Sequence, residues 1–249
     1  MSSETVIRRD RAPDADYEAM SLGERLTSLT RGRRNPVFTT SLGLEDQVLT
    51  AALAETVPTV RIVTLETGRL FDETLALIAQ TEERYGLTIE RFRPDPEKLA
   101  GFVEQYGVNG FYESAEARHA CCGVRKLEPL ERALDGADLW ITGLRRGQSG
   151  NRADVPFAEW DAHRGLLKAN PLADWDIGTI RAFADAHAVP INPLHARGYP
   201  SIGCEPCTRA IKPGEYERAG RWWWENDEKR ECGLHVPSAT HQPASAIQP

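Results

Sequence analysis

The sequence predicts an α/β protein built on a doubly wound, mostly parallel sheet. Two features predict it. Short continuous apolar or β-branched runs, such as Val60-Arg-Ile-Val-Thr-Leu65 and Leu139-Trp-Ile-Thr-Gly143, suit strands buried on both faces. These runs alternate with helical patterns of about ten residues or more, and parallel neighbours joined by helices require right-handed crossovers. A chain of 249 residues has room for one large domain, or at most two.

The elements follow in order. Val37 to Ser41 reads as a strand, and Glu45 to Glu55 as a helix whose first-turn acids suit its dipole. Thr59 to Leu65 is a strand, Leu70 to Tyr85 a helix, Leu87 to Phe92 a strand and Glu97 to Tyr106 a helix. A further helix starts at Cys121 and runs to about Leu134, ahead of a strand over Asp138 to Gly143. Beyond about Glu159 the pattern weakens. Leu166 to Ala169 makes a short strand, and Asp176 to His187 an amphipathic helix with Ile177, Ile180 and Phe183 on one side. After Pro190 the chain is dense in Pro and Gly and reads as irregular, so a bound cluster or metal is the natural means of fixing it. Residues 1–16 and 236–249 are polar ends expected outside the core, the second of them disordered, leaving residues 17–235 as a single domain. No internal repeat or dividing linker interrupts it.

Ligands of such sheets collect outside the carboxyl ends of the strands. Three polar, Gly-containing loops fall there: Ser41 to Asp46, Glu66 to Arg69, and Gly143 to Arg152. Lys plus Arg number 30 against 37 Asp plus Glu, a net charge of −7, which argues against non-specific nucleic-acid binding. An anionic small substrate is compatible with that balance if the basic residues are concentrated in one place. No apolar run approaches the roughly 18 residues that span a bilayer, and Met1-Ser-Ser-Glu-Thr5 lacks the basic and apolar stretches of a leader. The expected location is the cytoplasm, where cysteines serve more often as ligands or catalysts than as bridges.

There are five cysteines. Cys121 and Cys122 are adjacent, whereas Cys204-Glu-Pro-Cys207 is a C-x-x-C turn able to aim two sulfurs at one body. A disulfide between neighbours is strained, and consecutive helical side chains diverge by about 100°, too far for a compact zinc site. A four-iron cluster suits the set better, because each iron takes its own thiolate over a larger body. Ordinary buried cysteine and zinc are the competing readings. Cys232 stands apart in Lys229-Arg-Glu-Cys-Gly-Leu-His235, where Lys229, Arg230 and His235 supply positive potential favouring the thiolate. It is either an incidental surface thiol or a nucleophile on a mobile segment.

Six motifs occur in order: Ser41-Leu-Gly-Leu-Glu-Asp46, Leu65-Glu-Thr-Gly-Arg-Leu-Phe71, Cys121-Cys-Gly-Val-Arg-Lys126, Thr142-Gly-Leu-Arg-Arg146 with Gln148-Ser149 and Arg152, the Cys204/Cys207 pair, and Glu231-Cys-Gly-Leu-His235. On these, over roughly residues 35–235, the chain resembles the assimilatory sulfonucleotide reductases, and within them the iron–sulfur adenylyl-sulfate (APS) reductases that use thioredoxin. The resemblance implies an adenine-nucleotide alpha-hydrolase-like sheet and a [4Fe-4S] cluster on Cys121, Cys122, Cys204 and Cys207. It implies that Cys232 attacks the sulfate sulfur of adenosine 5'-phosphosulfate, releasing AMP and leaving an S-sulfocysteine. Thioredoxin, or a glutaredoxin-like reductant, then releases sulfite, a step in sulfate assimilation and cysteine biosynthesis.

An anionic thiolate meeting an anionic sulfate needs fixed cations. The candidates are Lys126, which matches the family's motif position, with Arg145, Arg146, Arg218, Arg221 and His235. Ser41 and Gly43 stand where pyrophosphatase relatives carry Ser-Gly-Gly-x-Asp-Ser, and Glu45 and Asp46 replace the final Asp and Ser, which disfavours a triphosphate. Glu66, Thr67, Gly68 and Arg69, with Gly143, are expected at the nucleotide; Glu66 replaces the family's more usual Asp. The alternatives are a reductase of 3'-phosphoadenylyl sulfate (PAPS) or of both nucleotides, a cluster-bearing sulfur-transfer protein of the pyrophosphatase-loop group, and a zinc-stabilised binding module. The sheet's edges and faces leave room for a symmetric homo-oligomer.

Overall fold

A computed structural model describes residues 15–225 and 234. The first helix, α1 (Leu22–Thr30), is fixed at its start by a capping box in which the Glu24 amide donates to the Ser21 hydroxyl and the Ser21 amide donates to the Glu24 carboxylate at 2.8 Å. Then β1 (Pro36–Thr40), α2 (Leu44–Thr56), β2 (Arg61–Leu65), α3 (Asp72–Tyr85), β3 (Ile89–Phe92) and α4 (Pro96–Tyr106) alternate as the sequence predicts. Gly86 ends α3 in the left-handed conformation, at φ +63°, which glycine adopts without strain.

The helix expected from Cys121 begins earlier. Ser114 caps α5 (Ala115–Cys122) by accepting from the Ala117 amide, and a π-helical turn over Gly123–Leu127 joins it to α6 (Glu128–Ala133). β4 (Leu139–Ile141), β5 (Ala158–Asp161), β6 (Leu166–Ala169) and α7 (Ile177–Ala186) complete the regular structure. The six strands lie in the order β3-β2-β1-β4-β6-β5, and all neighbours are parallel except β5 with β6. β5 is the strand the sequence pattern does not reveal, since an edge strand with one partner has no continuous apolar run to show, and α1 lies ahead of the first expected element.

The central strands alternate between two apolar layers, as a pleat buried on both faces must. Phe38, Leu139 and Ile141 join one layer with residues of α1, α2, α3 and α7, whereas Val37, Val63 and Trp140 join Leu130 and Ala133 of α6 in the other. Ala15 and Tyr17 pack against the first layer, so the core reaches into the expected polar N-terminal segment, whose residues 1–14 lie outside the described residues, as do residues 236–249. The buried Arg25 of α1 donates to Asp174 at 2.5 and 2.8 Å and ties α1 to the segment after β6. Strand order reverses between β1 and β4, the topological switch point where doubly wound sheets bind ligands. Among the described residues no helix is long and apolar enough to cross a membrane.

Candidate active site

A cavity of about 190 Å³ opens at that switch point. Its floor is the carboxyl ends of β1, β2 and β4, through Thr39, Thr40, Thr64, Leu65 and Trp140. The three predicted loops supply one side: Ser41, Gly43, Glu45 and Asp46; Thr67; and Gly143, Gln148 and Arg152. Lys126 enters from the π turn, and Ser201, Gly203, Cys204, Arg218, Arg221 and Trp222 come from the irregular region.

The first loop is closed by its own side chains. The Ser41 amide and hydroxyl both donate to one Asp46 oxygen at 2.6 Å, and the Leu42 amide donates to the Thr40 hydroxyl at 3.0 Å while Leu42 holds φ +58°. Burial pushes the Asp46 carboxyl up to about 6, against the Ser41 bonds and Arg152 that favour its charge, with Glu45 adding repulsion. Gly143 is required here, because a Cβ would fall 2.1 Å from the other Asp46 oxygen. Glu45 accepts from Arg145 Nε at 2.6 Å and from Gln148 Nε2 at 3.1 Å, and Arg152 donates to Gln148 at 2.5 Å, so the first and third loops form one polar network.

Beside this cavity lies a smaller one lined by Cys121, Cys122, Cys204 and Cys207, together with Arg69, Arg118, Arg125, Lys126 and Trp222. None of these four described cysteines forms a disulfide, and all are buried. The π turn brings Arg125 and Lys126 back toward the thiols at the end of α5. Cys204 and Cys207 are set by backbone bonds: the Glu205 amide donates to Arg69 O at 2.8 Å and the Cys207 amide to Cys204 O at 3.0 Å. The Thr67 hydroxyl lies 3.3 Å from Cys204 Sγ.

Burial pushes Cys121 up, and burial with the neighbouring Cys204 pushes Cys207 up to about 12. Burial acts the same way on Cys204, but Lys126, Thr67, Arg221 and Arg125 outweigh it and hold that thiol below its ordinary value. A charged group bound by several thiolates fits this surround. Arg125 donates Nη1 to Thr67 O at 2.6 Å, yet its buried Nε has no hydrogen-bond partner, leaving a donor in the wall of the thiol cavity. Among the described residues no three His, Cys, Asp or Glu side chains converge on a point that holds a single metal ion. Four buried thiols around one cavity are a donor set of the kind that zinc and iron–sulfur clusters both use.

Residues 35–210 match the family described as the phosphoadenosine phosphosulfate reductase domain. The chain belongs to this reductase family. Within it the chain groups with the adenosine 5'-phosphosulfate reductases: the protein of that name from Sinorhizobium fredii (strain USDA 257) is 61% identical over 100% of this chain and 98% of its own. The one from Rhizobium meliloti (strain 1021) is 66% identical over 93% of this chain and 86% of its own. Among solved structures, the phosphoadenylyl-sulfate (PAPS) reductase of Candida auris, a phosphate complex, superposes with a TM-score of 0.67 at 26% identity, covering 78% of this chain and 92% of that one. The expected sheet of the adenine-nucleotide alpha-hydrolase-like type is therefore the observed one.

Of the residues singled out from the sequence of this reductase, Ser41, Gly43, Thr67, Lys126, Gly143, Arg218 and Arg221 stand together on the large cavity, and the four cysteines on the small one. Others are placed elsewhere. Arg145, expected at the substrate, is 2% exposed, off the cavity wall and bound to Glu45 and Glu217. Arg146 donates to Val155 O at 3.0 Å and covers the Phe157 ring. Glu66 pairs with Arg93 at 2.8 Å, and Arg69 lines the thiol cavity instead of the large one, donating to Val108 O and Asn109. Gly68 takes φ +69° and provides a turn, with no place on the wall. Cys232 and His235 lie outside the described residues.

The sequence reading did not assign His195, Glu217, Arg118, Arg125 and Trp222. Gln148 and Arg152 were visible as part of a motif, whereas His195 and Glu217 sit in a Pro- and Gly-rich stretch with no periodicity to mark them.

Proposed function

We propose that this oxidoreductase reduces adenosine 5'-phosphosulfate to sulfite and AMP, in the cytoplasm, with thioredoxin as the electron donor and residues 17–235 acting as one catalytic unit. The reading rests on one observation above all: Lys126, Cys204 and Trp222 form part of both the large cavity and the thiol cavity, so the basic end of the first abuts the second. A nucleotide in the large cavity then presents its sulfate to Lys126, Arg218 and Arg221 at the end next to Cys204. The names of the high-identity relatives support APS as that nucleotide.

Cys232 is the proposed nucleophile. Leu234, two residues after Cys232 in sequence, lines the large cavity and packs against the layer of Val63, Leu130 and Trp140. The Cys232 thiolate attacks sulfur, the sulfur–oxygen bond to the phosphate breaks, and AMP leaves with that electron pair. One thioredoxin thiolate attacks Cys232 Sγ and expels sulfite, and the second thiol resolves the mixed disulfide, returning the Cys232 thiolate. The two electrons come from the two thioredoxin thiols. Lys126, Arg218 and Arg221 offset the charge that accumulates when two anions meet, and His235 is placed by sequence to assist.

Cys121, Cys122, Cys204 and Cys207 are the proposed ligands of one [4Fe-4S] cluster, which when bound joins the α5 segment to the irregular region and contributes a fixed local field. Lys126, Arg125 and Thr67 compensate its charge.

The test incubates anaerobic protein with APS and no thioredoxin and searches by mass spectrometry for a sulfonate on cysteine. It is expected on Cys232 and absent in Cys232→Ser. Protein with bound nucleotide and full iron content but no adduct would falsify the mechanism, and strong preference for PAPS in turnover would move the substrate assignment to the alternative.

A further inference from the structure

Arg145 is the least exposed cation of the site, and it touches two carboxylates that belong to different parts of the chain. Its Nε donates to Glu45 at 2.6 Å, and its Nη2 donates to both Glu217 oxygens at 3.0 and 2.9 Å. Glu45 lies in the first turn of α2, whereas Glu217 lies in the irregular region next to Arg218. Both carboxylates line the substrate cavity, and Arg145 does not.

We infer that Arg145 is a positioning residue that ties Glu217 to the Ser41–Asp46 loop and thereby sets Arg218 and Arg221 against the substrate cavity. The inference rests on the reading above that these two arginines meet the anionic end of the nucleotide.

The stretch around Glu217 has little regular structure to hold it. Its backbone bonds are local turns, Ala219 amide to Tyr216 O and Arg221 amide to Arg218 O, both 2.9 Å. Farther along, the Arg209 amide donates to Gly220 O at 2.9 Å and the Trp222 amide to Cys207 O at 3.1 Å, which fixes one end of the stretch beside the Cys204/Cys207 turn, and the Arg209 guanidinium holds Glu215 at 2.8 and 2.9 Å. The Arg145–Glu217 pair joins the middle of the stretch to the loops at the strand ends.

Charge makes the tie more than mechanical. Glu45, Asp46 and Glu217 all face a cavity proposed to take an anion. Arg145 occupies two of these carboxylates from behind, out of the substrate's path. Without it, Glu217 is repelled by Glu45, Arg218 is released with it, and both carboxylates repel the substrate. Glu217 is half-buried, with its side chain 27% exposed, so without Arg145 it has water to turn toward.

The experiment compares iron-loaded wild type, R145Q, R145K, E217Q and R145Q/E217Q in anaerobic APS turnover with thioredoxin, and follows backbone hydrogen exchange over residues 212–222 without substrate. R145Q is expected to raise KM for APS about tenfold or more, R145K to recover part of it, and the double variant to be no worse than R145Q. A purely structural role would lower the active fraction and so kcat, leaving KM unchanged. A wild-type KM in R145Q, or strictly additive effects of R145Q and E217Q, overturns the inference. Faster exchange over 212–222 in R145Q supports the tie even if the wild type fails to reduce APS, a failure that would count against the function reading alone; unchanged exchange overturns the tie.

Discussion

Asp46→Asn should stabilise the protein, by an amount that depends on pH in a defined direction. Asp46 is 8% exposed, and burial raises its carboxyl from an ordinary 3.8 to about 6. The folded state therefore holds the Asp46 proton more tightly than the unfolded chain. The stability this contributes is fully present below about pH 3.8 and is lost as pH rises through about 6. A shift of roughly two units corresponds to about 3 kcal/mol of penalty for the ionised form at pH 8. Asparagine keeps an oxygen to accept from the Ser41 amide and hydroxyl, and it removes the charge that burial and Glu45 disfavour. The gain over wild type is expected to grow from about 1 kcal/mol at pH 4.5 to about 3 kcal/mol at pH 8. Urea unfolding of iron-loaded protein under anaerobic conditions, wild type and variant in parallel, reads it as a shift in midpoint at unchanged slope. A loss of stability at pH 8, or a difference that does not vary with pH, refutes the reasoning.

Three other outcomes follow from the same contacts. Arg25→Met leaves the Asp174 carboxylate, 24% exposed, without its buried partner and should cost about 3 kcal/mol, read as a lower thermal midpoint with KM unchanged. Gly203→Ala puts a Cβ 2.2 Å from an Arg221 guanidinium nitrogen and must displace it, so KM for APS should rise while iron content stays at the wild-type level. Removing iron with a chelator should lower the thermal midpoint and speed hydrogen exchange over residues 204–222, because among the described residues that region has no helix or strand longer than a single turn to hold it.

The parts of the fold that the sequence shows are those where one strand or helix carries its own signal. β1, β2 and β4 are buried on both faces, so their apolar runs are unbroken and easily read. β5 offers Ala-Glu-Trp-Asp with an exposed Trp160, and its pairing is held by β6 and a Lys168–Glu159 contact, which only the folded sheet assembles. α1 does carry a local sign, Ser21 followed by Glu24, but it is a short helix whose apolar face is clear only against α2. The same division governs the site. Gly143 and Ser41 are legible because loops at strand ends need small residues, and the cysteines because their spacing is rare. Arg145 reads as one more loop cation, since its partners Glu45 and Glu217 are 100 and 72 residues away in sequence. Lys126 and Arg125 are neighbours on a π turn with no sequence signature, which brings both to the thiol cavity and only Lys126 to the large one as well.

A net charge of −7 is compatible with an anionic substrate only where basic residues gather, so the distribution of charge around the cavity matters. A helix N-terminus at a strand end is ordinarily the anion site of such a sheet. At the start of α2 that role is taken internally: Glu45 and Asp46 stand in its first turn, and Asp46 takes up the Ser41 amide that would otherwise face a ligand. A row of phosphates laid over this helix would meet two carboxylates. Across the cavity the balance is reversed, with Lys126, Arg218 and Arg221 beside Cys204. The acids on the loop therefore do not oppose anion binding so much as decide which side of the cavity performs it. On the proposed reading they turn the charged end of a nucleotide away from α2 and toward Lys126, Arg218 and Arg221.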